Sequence, residues 1–416
     1  MKERLPEKFK FRLLGFYLLV LIIFALFLEP PGEIFNGLQK IFLSNDLLIS
    51  DYFEIGGLGA AFLNSGLLAV LSLLLLKYEK TRLNGLSVAA LFTIAGFALF
   101  GKNLVNVIPI LLGVWLYSRY QGEGFQNYII VGLFGTALAP LVSQIAFTFD
   151  FSLVGIIVGG IFGTVVGFLI PPVASHVLVA HEGFNLYNLG FTAGIMGTVL
   201  MSVLRSYNFE SETHLLWTTR YTNMLFIFLF LYFLSMIVIG YILTLKNDIS
   251  IKKIKNLWQR SGRIVTDFVI SDGFALTLIN MGLMGLLFIT LLRLINAPLN
   301  GPTIGGVFTI VGFSAFGKHP LNTGPVVLGV LFGALTKVWA IQDPAFVLAL
   351  LFSTTLAPIA GFFGAFSGFI AGFLHLSVVM QVTYLHGGLN LYNNGFSGGL
   401  VATFLYPILD GLKKEG

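Results

Sequence analysis

The chain has 416 residues, of which 56% are hydrophobic and 10% are charged. Soluble domains carry about 25% charged residues, so this composition excludes an ordinary soluble protein and indicates an all-α polytopic membrane protein. The net charge of +5 arises mainly from basic residues in short loops, as the positive-inside rule predicts, and calls for no nucleic-acid partner. The absence of cysteine excludes disulfides, thiolate catalysis and cysteine-ligated zinc.

The first apolar segment, 13–28, follows a basic N-terminus. It resembles a signal peptide, but no small-residue cleavage site precedes Glu29-Pro30-Pro31, so we expect a transmembrane helix with a cytoplasmic N-terminus. The stretch up to Glu54 should then lie outside. The next helix, 57–76, returns the chain to a basic loop on the inner side.

Later segments bring the total to about fourteen. Segments 87–100 and 107–117 are short for a hydrocarbon core of about 30 Å, so each is either re-entrant or a broken helix. Pro171-Pro172 is expected to stop or kink its helix, and Pro109 and Pro325 to break theirs. The basic loop 246–263 and the C-terminus are expected to be cytoplasmic. The other apolar segments are 129–147, 153–170, 189–204, 221–245, 274–292, 303–316, 326–336, 346–356, 361–382 and 391–409.

One polar, glycine-rich sequence occurs twice between apolar segments. Residues 181–194 read HEGFNLYNLGFTAG, and residues 386–399 read HGGLNLYNNGFSGG, at a constant offset because 181 + 205 = 386. In a bilayer such a break is tolerated only where it is packed in protein or lines a cavity. This doubled stretch is therefore the predicted centre of function.

The duplication extends over most of both halves. Asn84-Gly85 recurs as Asn300-Gly301 because 84 + 216 = 300, and Phe100-Gly101-Lys102 recurs as 316–318 at the same offset. An odd number of segments separates equivalent helices, which predicts two inverted repeats of about six segments. The predicted divisions are an N-terminal helix and external loop (1–46), repeat 1 (47–206), a linker helix and basic loop (207–263) and repeat 2 (264–416).

The candidate substrate-binding residues of the doubled stretch are mostly asparagine and tyrosine. Their amide and hydroxyl groups can bind a small polar solute without the cost of a buried charge, or they can cap helix ends and satisfy exposed backbone. The two histidines can relay protons or lie idle at an interface. The residues are His181, Asn185, Tyr187, Asn188, His386, Asn390, Tyr392, Asn393 and Asn394.

A second candidate set follows the equivalent short segments. Lys102 and Lys318 would attract an anionic solute if their segments are re-entrant, or snorkel to the interface if those segments span the bilayer. Asn106 and Asn322 lie just beyond them and share both interpretations. No phosphate-binding loop, metal motif or cofactor motif is present, so we expect no cofactor, and an embedded enzyme is the least favoured class.

The doubled His-x-Gly-x-Asn-Leu-Tyr-Asn and Phe-Gly-Lys stretches resemble an uncharacterised family of bacterial membrane proteins that carry a tandem domain of unknown function. A fainter likeness is to urea channels, which are also inverted duplications with broken segments. The first resemblance covers nearly the whole chain and implies a multi-pass protein of the bacterial plasma membrane. It implies no substrate.

The resulting expectation is a secondary transporter that moves a small polar solute by alternating access, with H⁺ or Na⁺ coupling left open; the paired lysines favour an anionic solute. The alternative is a passive channel for a neutral solute such as urea. The expected partners are membrane lipid and the solute, and a homo-oligomer is compatible with the sequence.

Overall fold

A computed structural model describes residues 5–209 and 215–414. Lys2 and Arg4, which contribute to the basic N-terminus, lie outside those ranges. Within them the chain is helical, and ten helices are long and apolar enough to cross a membrane. The predicted all-α polytopic architecture is therefore confirmed.

The helices fall into two series that match in order, and most equivalent helices are of similar length. The first series is α1 (Glu7–Leu28), α2 (Pro31–Phe42), α3 (Tyr52–Ile55), α4 (Leu58–Tyr78), α5 (Gly85–Phe97), α6 (Leu104–Tyr120), α7 (Ile129–Gly135), α8 (Ala139–Thr148), α9 (Leu153–Ala180) and α10 (Asn188–Ser206). The second is α11 (Thr222–Lys246), α12 (Ile254–Trp258), α13 (Phe268–Ser271), α14 (Phe274–Leu294), α15 (Gly301–Phe313), α16 (Pro320–Thr336), α17 (Pro344–Phe352), α18 (Ala357–Phe363), α19 (Ala365–His386) and α20 (Asn393–Lys414).

The short helices α5 and α15 form the buried centre of the molecule and pack against each other. Each begins with an asparagine capping box, which satisfies the first free backbone N–H groups. Asp267 of the second copy accepts from Gly85 N at 2.8 Å, and Asp51 of the first copy accepts from Gly301 N at 3.1 Å. Each copy therefore caps the short helix of the other, with a carboxylate at the positive end of its dipole.

The two short helices are antiparallel. Gly85, the first residue of α5, lies against the backbone carbonyl of Ala315, just beyond the end of α15. Gly301, the first residue of α15, lies against the carbonyl of Leu99, just beyond the end of α5. Exchange of the copies thus reverses the direction of the helix, which confirms the predicted inverted repeat. Thirteen residues of helix measure about 20 Å, so the chain turns before a full hydrocarbon thickness is crossed.

Contacts between loops define two ends of the molecule. We call the end formed by residues 79–84, 181–183 and 246–267 the basic face. There Ile264 N donates to Gly183 O at 3.1 Å, and Arg263 Nη2 contacts Glu182 Oε2 at 2.9 Å. We call the end formed by residues 43–51, 215–221 and 295–300 the opposite face, where Thr218 N donates to Asp51 at 3.0 Å.

The repeat unit is larger than the sequence suggests. Helix α1 packs along α4 as α11 packs along α14. The helices that we expected to be additions, one at the N-terminus and one between the repeats, are thus equivalent members of the two copies. Within the described residues each copy contributes seven helical segments that run from one face towards the other: α1, α4, α5, α6, α7–α8, α9 and α10 in the first. An odd number per copy explains why the second copy is inverted.

The expected helix breaks at Pro109 and Pro325 were wrong, and Pro171-Pro172 does not stop its helix. Helix α9 continues through Pro171-Pro172, and Pro109 and Pro325 lie inside α6 and α16. Close packing of glycines holds these helices together: Gly167 of α9 lies against the backbone of Ile110, next to Pro109. A proline costs one helical hydrogen bond, and tight packing against a neighbouring helix offsets that loss.

The breaks occur elsewhere. The expected segment 129–147 is interrupted by a 3-10 turn at Thr136–Leu138, between α7 and α8, and the expected segment 346–356 ends in a 3-10 turn at Ser353–Leu356, between α17 and α18. The expected segment 361–382 is divided at Gly364, whose φ of +94° favours glycine and separates α18 from α19. The 3-10 turns place backbone polar groups and buried threonine hydroxyls next to the central helices.

The architecture predicts the sidedness of three exposed loops. Because the chain lacks cysteine, Lys80→Cys, Lys255→Cys and Gln342→Cys each introduce a single thiol. In oriented vesicles an impermeant maleimide should label positions 80 and 255 from one side and position 342 from the other. Labelling of positions 80 and 255 from different sides would contradict the inverted repeat.

Candidate functional site

Two lysine–tyrosine pairs connect the copies at the centre of the molecule. Lys102 Nζ of the first copy donates to Tyr392 Oη of the second at 2.5 Å and to Thr136 Oγ1 at 2.7 Å. Lys318 Nζ of the second copy donates to Tyr187 Oη of the first and, at 2.7 Å, to Thr354 Oγ1. We call these the crossed pairs. Each tyrosine comes from the doubled stretch, so the two predicted candidate sets meet here.

The turns that carry the lysines are fixed by buried asparagines. Asn64 Nδ2 donates to the carbonyls of Ala98 and Lys102 at 2.7 and 2.8 Å. Asn280 makes the equivalent bonds to Ser314 and Lys318, both at 2.8 Å. These bonds satisfy carbonyls that are left free where α5 and α15 end, and they hold both ammonium groups in place.

The two lysine amines are buried without a carboxylate partner. Both lysine side chains are 0% exposed, so neither reaches the membrane surface. Among the residues described, neither has a carboxylate within 4.0 Å. Their neighbours are hydroxyls and aromatic faces, with Nζ 4.5 Å from the ring centre of Tyr392 for Lys102 and 4.3 Å from that of Tyr187 for Lys318. Aromatic faces stabilise a cation only modestly, by about 2 kcal/mol when desolvated.

Two asparagines of the doubled stretch act on the backbone. Asn185 Nδ2 donates to Gly395 O at 3.0 Å, and Asn390 Nδ2 donates to Gly190 O at 3.2 Å. Each Oδ1 accepts from the backbone two residues later. Both asparagines are buried, and Gly190 and Gly395 touch each other between them. The geometry is that of capping, one of the two predicted roles.

The histidines pair with the remaining asparagines. His181 Nε2 lies 2.9 Å from Asn188 Oδ1, and His386 Nε2 lies 2.8 Å from Asn393 Oδ1. Asn394 bonds instead to a third histidine, His375, at 3.0 Å. Neither His181 nor His386 contacts the crossed pairs. Asn106 and Asn322 donate to Gly101 O and Gly317 O, where they hold the lysine turns from the other side.

A cavity of about 350 Å³ lies between the two copies. Its inner part has three residue types in equivalent positions from both copies: Thr93 and Thr309, Phe97 and Phe313, Tyr187 and Tyr392. Towards the basic face it is lined by Ile130, Leu178 and Ile264. We call this the central cavity. Its wall is mainly apolar, with hydroxyl and amide groups at a few points, as is common for small-molecule sites.

A second cavity, of about 210 Å³, lies towards the opposite face. It is lined by Leu48, Leu348 and Thr383, the repeat equivalents of Ile264, Ile130 and Leu178 because 48 + 216 = 264, 130 + 218 = 348 and 178 + 205 = 383. The second cavity is thus the counterpart of the outer part of the central cavity.

Phe352, Leu391 and Asn394 line both cavities and form the wall between them. Phe134 and Leu186, the repeat equivalents of Phe352 and Leu391, border the central cavity and are absent from the lining of the second. The centre is therefore continuous with one side and separated from the other by two apolar side chains and the amide of Asn394. Equivalent residues of the two copies thus differ in which cavities they line.

The structure sorts the predicted residues by position. Tyr187, Asn188, Tyr392 and Asn394 line the central cavity, and Asn393 and Asn394 line the second. Of the other candidates, Lys102 and Lys318 contact the lining tyrosines, and the rest lie behind the walls. Sequence reasoning missed four threonines, although Thr93 and Thr309 occur at equal positions in a repeated Phe-Thr-Ile. The four are Thr93, Thr136, Thr309 and Thr354.

Substitutions can distinguish an asparagine that caps the backbone from one that lines the central cavity. Asn185→Ala removes a buried amide that satisfies Gly395 O and Tyr187 N, so we expect a loss of about 1–3 kcal/mol of stability. Half-buried Asn188→Ala should cost less, and exposed Asn256→Ala, the matched control, should cost almost nothing. Thermal unfolding of the purified variants in detergent tests this order. A loss at Asn185 no larger than that at Asn256 would contradict the capping role.

Comparison with known proteins supports the duplication. A family model described as "Protein of unknown function (DUF1576)" matches residues 30–206 and 246–411. The two matched regions fall on the two copies, which confirms the predicted resemblance to a family with a tandem domain. No curated protein and no solved structure matches the chain.

Proposed function

We propose that this protein, which belongs to the DUF1576 family of proteins of unknown function, is a secondary transporter that moves a small anionic solute by alternating access. The observation that carries the proposal is the crossed pairs: two buried lysines without a carboxylate partner, each held against a tyrosine that lines the central cavity.

The anionic charge follows from electrostatics. A buried cation costs several kcal/mol unless a counter-charge or good hydrogen bonds compensate it. Lys102 and Lys318 each have hydroxyl and aromatic neighbours. An anion in the central cavity would accept hydrogen bonds from the two tyrosine hydroxyls, which themselves accept from the ammonium groups. It would also be attracted by both positive charges at once.

Alternating access is supported by the repeat. In an inverted repeat, exchange of the conformations of the two copies moves the opening from one side of the membrane to the other. Here the central cavity extends towards the basic face, and Phe352 and Leu391 separate it from the second cavity. In the exchanged state Phe134 and Leu186 would form the wall. The positive-inside rule makes the basic face cytoplasmic, so this is the inward-open state.

A passive channel for a neutral solute such as urea is the weaker alternative. A channel conducts through a continuous path and has no need for buried charge. The apolar wall and the two lysines both favour the transporter.

Loss of one central lysine should weaken anion binding. Lys318→Gln removes a positive charge and a charge-assisted hydrogen bond worth about 1.5–3 kcal/mol, which corresponds to an affinity lower by about 10- to 100-fold. A panel of inorganic and organic anions, screened by thermal stabilisation of the purified protein, supplies the ligand. Lys337→Gln, at a lysine outside the cavities, is the matched control. Equal affinity in both variants would contradict the site.

Equivalent cysteines should report which side is open. Ile130→Cys lines the central cavity and Leu348→Cys lines the second. An impermeant thiol reagent should react faster with position 130 from the basic face than with position 348 from the opposite face. A bound anion or an imposed ion gradient should change the two rates in opposite directions. Rates that change together would favour a channel.

A further inference from the structure

Asp46 is a buried carboxylate in the linker between α2 and α3, outside the membrane-spanning helices. It is 0% exposed. Its Oδ1 accepts from Ser44 at 2.7 Å and Tyr52 at 2.5 Å, and its Oδ2 accepts from Ser143 at 2.6 Å. Two asparagine amides complete the shell, Asn103 at 2.9 Å and Asn106 at 3.0 Å. Five side chains thus donate to one carboxylate.

The second copy provides an internal comparison. The equivalent of Asp46 is Gly262, since 46 + 216 = 262, and both have left-handed backbone, with φ of +57° and +76°. A Cβ at Gly262 would lie 2.0 Å from Gly317 O, so that copy has no space for a side chain. The carboxylate therefore breaks the symmetry that the lysines, their asparagines and the tyrosines obey.

The hydroxyl donors are absent from the second copy as well. The equivalents of Ser44 and Tyr52 are Arg260 and Phe268 (44 + 216 = 260, 52 + 216 = 268), and the equivalent of Ser143 is Gly361 because 143 + 218 = 361. Of the five donors only Asn106 recurs as the same residue, at Asn322. The hydroxyls thus occur where the carboxylate occurs, which marks a site built in one copy alone.

The shell favours a proton over a metal ion. The side-chain oxygens of Asn103 and Asn106 accept hydrogen bonds from backbone N–H groups. The side-chain amide hydrogens of both residues must therefore point towards Asp46 Oδ2. A metal ion would repel these hydrogens. A proton needs one acceptor, and each of the three hydroxyls can provide it by rotation.

The electrostatic surroundings of Asp46 allow its carboxyl group to gain and lose a proton. Among the side chains in contact with Asp46, only Tyr52 is titratable, and no cation lies within 4.0 Å of the carboxylate in the described part of the chain. The neighbouring charges face other groups: Lys102 bonds to Thr136 and Tyr392, and Asp51 to backbone N–H groups. Burial raises the pKa of Asp46 to about 6, against the lowering effect of its hydrogen bonds.

Asp46 also lies behind the wall that closes the opposite side. Leu48 and Ile49, two and three residues later, line the second cavity. Leu48 N donates to Gly388 O in the doubled stretch at 3.4 Å. Leu391, part of the wall, packs against Gly101, and the backbone carbonyl of Asp46 lies next to the same glycine. A change in the bonds of Asp46 would thus reach the wall directly.

We propose that Asp46 is a proton-binding site and that its protonation loosens residues 43–51 and opens the second cavity to the opposite face. Given the transport function proposed above, this site makes the proton the coupling ion. A neutral carboxyl accepts weaker hydrogen bonds than a carboxylate, so the protonated state holds Asn103, Asn106 and the three hydroxyls less firmly.

The test uses a reporter of opening and needs no solute. Leu348→Cys gives the only thiol, and its reaction with an impermeant maleimide from the opposite face is followed from about pH 5 to about pH 8. After correction for thiolate content, reactivity should rise as the pH falls through about 6. With Asp46→Asn added, which imitates the protonated state, reactivity should be high throughout. An unchanged pH profile in the double variant would overturn the gating role.

A second measurement detects the proton itself. Infrared difference spectra of the purified protein should show a protonated carboxylic acid that titrates near pH 6 and is lost in Asp46→Asn. Ser143→Ala removes a donor to the carboxylate and should move this titration to higher pH. Thr148→Ala on the same helix α8 should leave it unchanged. Absence of a titrating band assignable to Asp46 would overturn the proton site. Neither measurement involves anion binding, so failure here and failure of the transport proposal remain distinguishable.

Discussion

Burial of two lysine side chains without an acidic partner is the constraint around which the rest of the molecule is arranged. Each amine needs fixed hydrogen-bond partners, and each receives its tyrosine from the other copy. Neither copy could therefore complete this centre alone. The antiparallel packing of α5 and α15, with carboxylate caps exchanged between the copies, places the lysine turns and the tyrosines side by side. What remains unsatisfied, a counter-charge, is the property that a transported anion would supply.

The repeat could be predicted from sequence because polar residues in an apolar background are expensive and hence conspicuous. Lys102, Asn64 and the doubled stretch recur at constant spacing, and chance similarity of apolar segments would not preserve them. The positions at which helices end were harder to predict from the sequence. A proline indicates one lost hydrogen bond, but whether the helix ends depends on what packs against it, and Gly167 beside Ile110 is visible only in three dimensions. The 3-10 breaks at 136–138 and 353–356 carry no comparable signal.

The site was predictable in composition but not in connection. The lysines and tyrosines were both candidates, yet their pairing joins residues almost three hundred positions apart in one case, Lys102 and Tyr392. The role of the asparagines was ambiguous because a side-chain amide can bond equally well to a solute or to the backbone. In the structure Asn185 donates to the carbonyl of Gly395, a glycine that packs against another glycine, so this asparagine satisfies the backbone. Asp46 was overlooked because it lies in a mildly acidic linker that sequence alone assigns to solvent.

Residues that are equivalent in the two copies and residues that differ between them have different roles. Exchange between two states of similar energy requires two copies that can adopt each other's conformations, and the paired cavities and wall residues satisfy that requirement. A perfectly symmetric protein, however, would respond identically to the same ion on both sides of the membrane. Net transport of a solute driven by an ion gradient does not require a difference between the two copies. Control of one gate alone does require such a difference. In the mechanism proposed above, Asp46 against Gly262 provides it: a carboxylate enclosed by hydroxyls near the opposite face, and near the basic face a position where the backbone leaves no space for any side chain.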